Sequence, residues 1–83
     1  MASEVFVGVV RVALSVPGAR NRKDRRRVVV SLRDRVRHRF HVTFHEVGDD
    51  ERSPRSVVVM TTAGNDPGLI RSILDPLVGW IHS

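Results

Sequence analysis

The chain concentrates its guanidinium groups in one short segment. Ten of its 14 Lys and Arg residues lie between Arg20 and Arg39, where the acidic residues are only Asp24 and Asp34. This segment therefore has a net charge of +8, whereas the rest of the chain, with four basic and seven acidic residues, has a net charge of −3. Guanidinium groups bind phosphate oxygens in a bidentate manner, and a charge asymmetry of this kind indicates a polyanionic partner.

Hydrophobic spacing predicts that a helix over 22–39 positions these basic side chains. Its apolar stripe has Arg25 and Arg39 at the two ends and consists of Val28, Val29, Leu32 and Val36. The opposite stripe is basic and consists of Lys23, Arg26, Val30, Arg33 and Arg37. The basic stripe extends about 21 Å at ~1.5 Å per residue. That length suits a polyphosphate backbone better than one small ligand.

The start of this helix is also crowded with cations. Asn21 is the expected N-cap, and Arg20, Arg22, Lys23 and Arg25 surround it with only Asp24 to offset them. Each cation at a helix N-terminus is unfavourable by about 0.3–1 kcal/mol, so their presence indicates a functional site. Free backbone amides beside Gly18 would help to hold a phosphate. The predicted nucleic-acid-binding residues are Arg20, Arg22, Lys23, Arg26, Arg33 and Arg37.

Two other interpretations of the basic helix remain open. In the first, the charges coat only a solvated face, and the preference for Arg reflects a GC-rich genome. In the second, the chain is a homodimeric protein-interaction module whose basic face docks an acidic protein partner. RNA or a ribosomal subunit remains the expected partner, bound mostly through phosphate and shape, because the chain has no Tyr and its one Trp and three Phe are expected in the core.

The remaining segments predict a single α+β domain over 1–83. Strands are expected at 3–16, 40–47 and 56–63, and a second helix begins at Pro67 after the N-cap Asp66. Its buried stripe is expected to contain Leu69, Ile73, Leu77, Trp80 and Ile81, and Pro76 is expected to kink or restart it. The β-α-β-β-α order with a right-handed crossover predicts a ferredoxin-like fold lacking its last strand. Its sheet has the order 1-3-2, with both helices on one face.

The first strand is apolar on both faces, which is typical of a strand covered on both sides. Its second face has no helix to cover it, and it is left as a long edge. We therefore expect a homodimer formed through this strand or through the open sheet face. The residues expected at the dimer interface are Val5, Val7, Val9 and Ala13.

Glu46 is the only charged residue on the strand face that it shares with Phe40, Val42 and Phe44. The strand returns about 20 Å along the helix at ~3.3 Å per residue, which brings Glu46 to the level of Arg25. The sequence therefore predicts a structural ion pair between Glu46 and Arg25 or Arg22.

Several functional classes receive no support from the composition. The absence of Cys excludes disulfides, thiolate metal sites and a cysteine nucleophile. His41 and His45 would lie about 13 Å apart in a strand, so we predict no metal and no cofactor. No catalytic residues, small-molecule substrate or membrane segment are evident, and we expect a non-enzymatic, cytoplasmic protein.

The segment "VPGARNRKDRRRVVVSLRDRVRHRFHVTFHEV" and the closing "LVGWI" resemble the YlxP-like family of small bacterial proteins. The positions that match the family pattern include Lys23, Arg25, Arg26, Val28, Val29, Ser31, Leu32, Arg35, Arg37, Phe40, Val42, Glu46 and Val47. The resemblance implies a ferredoxin-like domain. It also implies a ribosome- or RNA-associated role, because family members tend to be encoded beside translation and ribosome-maturation factors. The chain departs from the pattern at Arg22, at Val30 and in the turn 48–55, which lacks the family's Trp and Gln.

A loop holding Gly18 and Arg20 is similar to that of acylphosphatases, but their catalytic Asn and final strand are not evident.

Overall fold

A computed structural model describes residues 4–49 and 55–83 of the chain. The elements follow in the order β1 (Phe6–Ser15), α1 (Arg22–Arg39), β2 (Thr43–Asp49), β3 (Arg55–Gly64) and α2 (Pro67–Ile81). The three strands form one sheet in the order β1-β3-β2, and both neighbouring pairs are antiparallel. The predicted α+β, ferredoxin-like β-α-β-β-α arrangement is confirmed.

The connection from β1 to α1 is a tight turn followed by a capped helix start. The Ala19 amide donates to the Val16 carbonyl at 3.2 Å, and Gly18 has a φ of +83°. Pro17 and Gly18 thus fit the second and third positions of a type II turn. The Asn21 side chain accepts a hydrogen bond from the Asp24 amide at 2.9 Å, which confirms the predicted N-cap and fixes the first residue of α1.

Strand β2 starts later than its sequence pattern predicts. The alternation of Phe40, Val42 and Phe44 predicts a strand over 40–47, but the strand covers Thr43–Asp49. The reason lies in α1, whose last turn is closed by the Phe40 amide donating to the Val36 carbonyl at 2.9 Å. The register with β3 then shifts between Glu46 and Gly48.

The core lies between the sheet and the two helices, and four of the five elements contribute buried side chains to it. Its buried members are Val29 and Val36 of α1, Phe44 of β2, Val58 and Met60 of β3, and Leu77 of α2. β1 adds partly buried side chains, among them Val10, Val12 and Leu14. The helices therefore both pack on the face of the sheet that presents these residues. The molecule measures 53 × 23 × 16 Å, and the smallest dimension corresponds to two layers.

The predicted burial is wrong at two positions of the helical stripes. Val28 of α1 is 47% exposed, and Leu69 of α2 is 53% exposed. At α2, the neighbouring Ile70 is buried instead, at 7% exposure, because the missing side chain of Gly8 makes room for it on β1. At α1, Val28 faces a part of the sheet that α2 does not cover, as described below.

α2 runs without a break through Pro76, so the helix does not restart after Asp75, and the alternative of a kink at Pro76 stays a prediction. Proline removes one amide donor from a helix. Here Leu74 and Leu77, on either side of Pro76, both pack in the core. This packing holds the two halves of α2 as one helix.

The other face of the sheet has no covering layer among the described residues. Val5, Val7 and Val9 are 72%, 64% and 60% exposed, and Ala13 is exposed as well. The expectation that β1 is covered on both sides is therefore wrong within one chain, because both helices pack on the same face.

Gly8 provides a direct test of how closely α2 packs on β1. A Cβ atom at residue 8 would lie 2.5 Å from Ile70 Cγ2 and would also overlap the Leu74 side chain. We expect Gly8→Ala to lower the free energy of unfolding by about 1–3 kcal/mol, as for other overpacked cores. Urea unfolding provides the measurement.

The matched control for this prediction is Gly79→Ala. Gly79 lies inside α2, and a Cβ atom at residue 79 would meet no neighbouring atom within 4 Å, so alanine should stabilise the helix by up to about 1 kcal/mol. Equal stability of the Gly8→Ala variant and the parent would contradict the packing of α2 on β1.

Candidate nucleic-acid interface

The predicted basic stripe lies on the flank of α1 that faces β2. Arg26, Arg33 and Arg37 line one side of a groove between these elements, and Phe44, His45 and Glu46 of β2 line the other. Lys23 and Arg26 continue the basic surface toward the helix start, where they line an adjoining groove with Arg27. The structure therefore brings four of the six predicted binding residues onto one continuous surface.

The side chains of this basic surface face solvent because the opposite face of α1 is buried against the sheet. Val29 and Val36 are 5% and 0% exposed, and at about 100° per residue these positions fix the rotation of the helix. Lys23, Arg26 and Arg37 are exposed. Steps of about 10 Å from Arg26 to Arg33 and about 6 Å from Arg33 to Arg37 give a row of guanidinium groups suited to successive phosphates.

Arg33 is the member of the row with an ion-pair partner. Its Nη2 atom lies 3.1 Å from Asp34 Oδ1, and its Nε atom donates to the same oxygen at 3.2 Å. Both side chains are partly exposed, at 39% and 64%. Exposed pairs of this type contribute about 0–1 kcal/mol, so Arg33 can exchange Asp34 for a phosphate at little cost.

The helix start differs from the phosphate cradle that the sequence predicts. The Ala19 amide donates to Val16, and the Arg20 amide donates to Asp24 Oδ2 at 3.2 Å. Two amides beside Gly18 are therefore already engaged, and the expectation of free amides there is wrong for both. Arg20, Arg22 and Lys23 are exposed, so this end of α1 contributes side-chain cations rather than a backbone nest.

Arg25 is buried, at 3% exposure. Its position at the end of the apolar stripe explains this burial, and a buried guanidinium group must be compensated by polar or ionic contacts. Glu46 is exposed and lies across the groove from Arg26, Arg33 and Arg37. The ion pair between Glu46 and Arg25 or Arg22 stays a prediction.

Two further arginines have a structural contact that sequence reasoning missed. The guanidinium carbons of Arg35 and Arg39 lie 5.1 Å and 5.6 Å from the ring centroid of Trp80. The Phe40 ring meets Trp80 edge-on at 5.9 Å. These contacts join the C-terminal half of α1 to the end of α2. No local sequence signal predicts them, because the partners are separated by about forty residues in the chain.

The described residues contain no cluster of three or more His, Asp or Glu side chains placed to hold a metal ion. His41 precedes β2, and His45 pairs with Val59 within the sheet. Among the described helices, none is long and apolar enough to cross a membrane.

The fold and the surface together define a small two-layer α+β protein that exposes an arginine-rich helix. The chain belongs to the family described as "Protein of unknown function (DUF503)", which matches residues 7–83. No curated protein matches the chain, and no solved structure matches it either.

The stacking of Arg39 on Trp80 yields a prediction for stability. We expect Arg39→Met, which keeps much of the aliphatic stem, to lower the free energy of unfolding by about 0.5–1 kcal/mol through loss of the cation–π contact. Urea unfolding can be followed by fluorescence, because Trp80 is the only tryptophan.

The control is Arg37→Met, two residues away on the exposed flank, which should leave both stability and the folded-state emission of Trp80 unchanged. Identical behaviour of the two variants would show that the stacking contact contributes nothing.

Proposed function

We propose that this protein is a non-enzymatic, RNA-associated factor of the cytoplasm that binds the phosphate backbone through the basic stripe of α1. The binding residues are Arg20, Arg22, Lys23, Arg26, Arg33 and Arg37. The resemblance to the YlxP-like family supports ribosomal RNA or a ribosomal subunit as the ligand, with a role in ribosome maturation or translation.

The observation behind this proposal is that some arginines of α1 make packing contacts within the protein, whereas others do not. Arg25 is buried, and Arg35 and Arg39 stack on Trp80, so packing accounts for these three. Within residues 4–49 and 55–83, no side-chain hydrogen bond or ion pair engages Arg26 or Arg37. A helix face that contacts only solvent does not require a row of like charges. Binding to a phosphate backbone does require one, because the cations neutralise the phosphates.

The aromatic side chains support recognition of phosphate and shape rather than of bases. Phe44 is buried at 4% exposure, and Phe40 and Trp80 are engaged with each other. The chain has no Tyr. Single-stranded bases are read mainly by stacking on exposed aromatic rings, and the basic stripe provides none.

The test is RNA binding by Arg26→Ala, Arg33→Ala and Arg37→Ala combined. If the parent neutralises about four to six phosphates, log K should fall with log salt with a slope of about −3 to −5. The triple variant should lose about two to three units of that slope with little change in sequence preference. Binding to purified ribosomal subunits and to an RNA duplex is measured over a salt series, with circular dichroism as the folding control.

A charge-matched control separates the stripe from net charge alone. Arg11, Arg55 and Arg71 are exposed and lie outside α1, on β1, β3 and α2, and replacing all three with Ala removes the same total charge. The control variant should bind more tightly than the stripe variant. Equal binding by the parent and a folded stripe variant would refute the proposal.

We also propose that a second copy of the chain covers the open sheet face, through Val5, Val7, Val9 and Ala13. The three strands have ten, ten and seven residues and present roughly 440 Å² at ~4.8 Å between strands and ~3.4 Å per residue. Two such faces bury about 880 Å², which is below the ~1,000 Å² of a specific, stable interface and corresponds to a weak dimer. Apolar patches of a few hundred Å² often mark a functional surface, and the exposure of Val5, Val7 and Val9 is the observation that favours their burial against a second copy.

Light scattering with size-exclusion chromatography tests the dimer. The parent should have twice the chain mass at tens of micromolar, a range in which micromolar dimers persist. Val7→Asp with Val9→Asp should give a folded monomer, because each carboxylate would be buried without a partner. Leu69→Asp, an exposed position on α2, should remain dimeric. A monomeric parent would contradict the dimer.

A further inference from the structure

A second surface lies on the other flank of α1 and adjoins the start of the basic stripe, because Arg27 also lines the groove of Lys23 and Arg26. α2 meets β1 near Gly8, beneath Ile70 and Leu74, and its end reaches Arg35 and Arg39 through Trp80. The opposite end of β1 lies instead beside a groove bordered by α1. Its apolar floor consists of Leu14, Val16, Val28 and Leu32, and its rim includes Arg27 and Arg35.

The floor of this groove is an uncovered part of the hydrophobic layer. Val28 is 47% exposed although it belongs to the apolar stripe of α1. Leu14 and Leu32 pack against the buried core from its margin and present their remaining surface to the groove. A two-layer sandwich normally covers such a position with a helix, and α2 covers only the other end of β1.

The charged residues at the rim of the groove determine which charge a bound partner must have. Arg27 and Arg35 border the floor, and Arg35 is held in place by stacking on Trp80 at 5.1 Å. Lys23 and Arg26 lie in the adjoining groove, where Asp34 is the acidic lining residue. An occupant must therefore be apolar on one side and acidic along its edges.

The dimensions fit a helix. The eight residue steps from Arg27 to Arg35 extend about 12 Å, or two helical turns. A helix lying beside α1 at the usual interaxial distance of about 8–10 Å would rest on Leu14 and Val16. Nucleic acid is disfavoured, because an aliphatic floor offers no stacking surface for bases.

We propose that this groove binds an acidic amphipathic helix of a partner protein, whose leucine-like side chains fill the floor while its carboxylates meet Arg27 and Arg35. The apolar floor of this site shares no residue with the proposed RNA-binding stripe, although Arg27 adjoins Lys23 and Arg26. Arg35 lies about 180° around α1 from Arg26 at ~100° per residue, and Arg33 and Arg37 line the groove on the β2 side.

The probe is a synthetic 18-residue peptide with Leu at every third or fourth position and Glu elsewhere. Its control is a peptide of the same composition with the leucine stripe scrambled. Fluorescence anisotropy with the full chain should show saturable binding of the striped peptide only. Val28→Asp should raise Kd at least about ten-fold, because it places a carboxylate in the apolar floor opposite an acidic partner. Val78→Asp, on α2 at 37% exposure, should leave Kd unchanged.

NMR chemical-shift changes should map to Leu14, Val16, Val28 and Leu32. The Arg26, Arg33 and Arg37 triple variant should still bind the peptide even where it loses RNA, so the two proposals fail separately. The groove proposal is overturned by absent binding up to about 500 µM, a range that includes weak complexes. Equal binding by Val28→Asp, displacement of the peptide by an RNA duplex, or loss of dimer mass in Val28→Asp would each also overturn it.

Discussion

The burial of α1 against the sheet is the contact on which the other features depend. Val29 and Val36 are almost completely inaccessible and pack with Phe44, Val58 and Met60. Burying a valine side chain contributes roughly 1.5–3 kcal/mol, so two such positions are a large part of the stability of a small domain. With the rotation of α1 fixed in this way, every other side chain of the helix has a defined direction.

That fixed rotation separates the arginines into groups with different physical roles. Arg25 points with Val29 into the protein, and Arg35 and Arg39 point toward α2 and stack on Trp80. Arg26, Arg33 and Arg37 point toward the β2 side. A high net positive charge alone would attract any polyanion without orientation. The grouping instead gives one row of cations a defined position on a rigid element.

The small size of the fold explains its two open apolar surfaces. In the part of the chain that the structure describes, three strands and two helices leave one sheet face without a layer, and α2 covers only part of the other face. Val7 and Val9 are more than half exposed because no layer covers their face of the sheet. Val28 is exposed because α2 does not extend over its part of the other face. An 83-residue chain buries a limited fraction of the surface that its unfolded form exposes.

The sequence by itself determined the order of the elements, the order of the strands and both helix starts. Asn21 and Asp66 cap their helices through local hydrogen bonds, and Pro17 and Gly18 form a turn. Such features depend on residues a few positions apart. The row of Lys23, Arg26, Arg33 and Arg37 was predictable for the same reason, since helical periodicity alone places these residues on one flank.

Only the tertiary structure decided what each face of these elements meets. The start of β2 moved because Phe40 closes α1 and contacts Trp80, and Ile70 rather than Leu69 is buried because Gly8 lies opposite. The exposure of Val28 likewise depends on the path of α2 across the sheet. Each of these outcomes is set by side chains far apart in the chain, and the periodicity of one element contains no information about its distant neighbours.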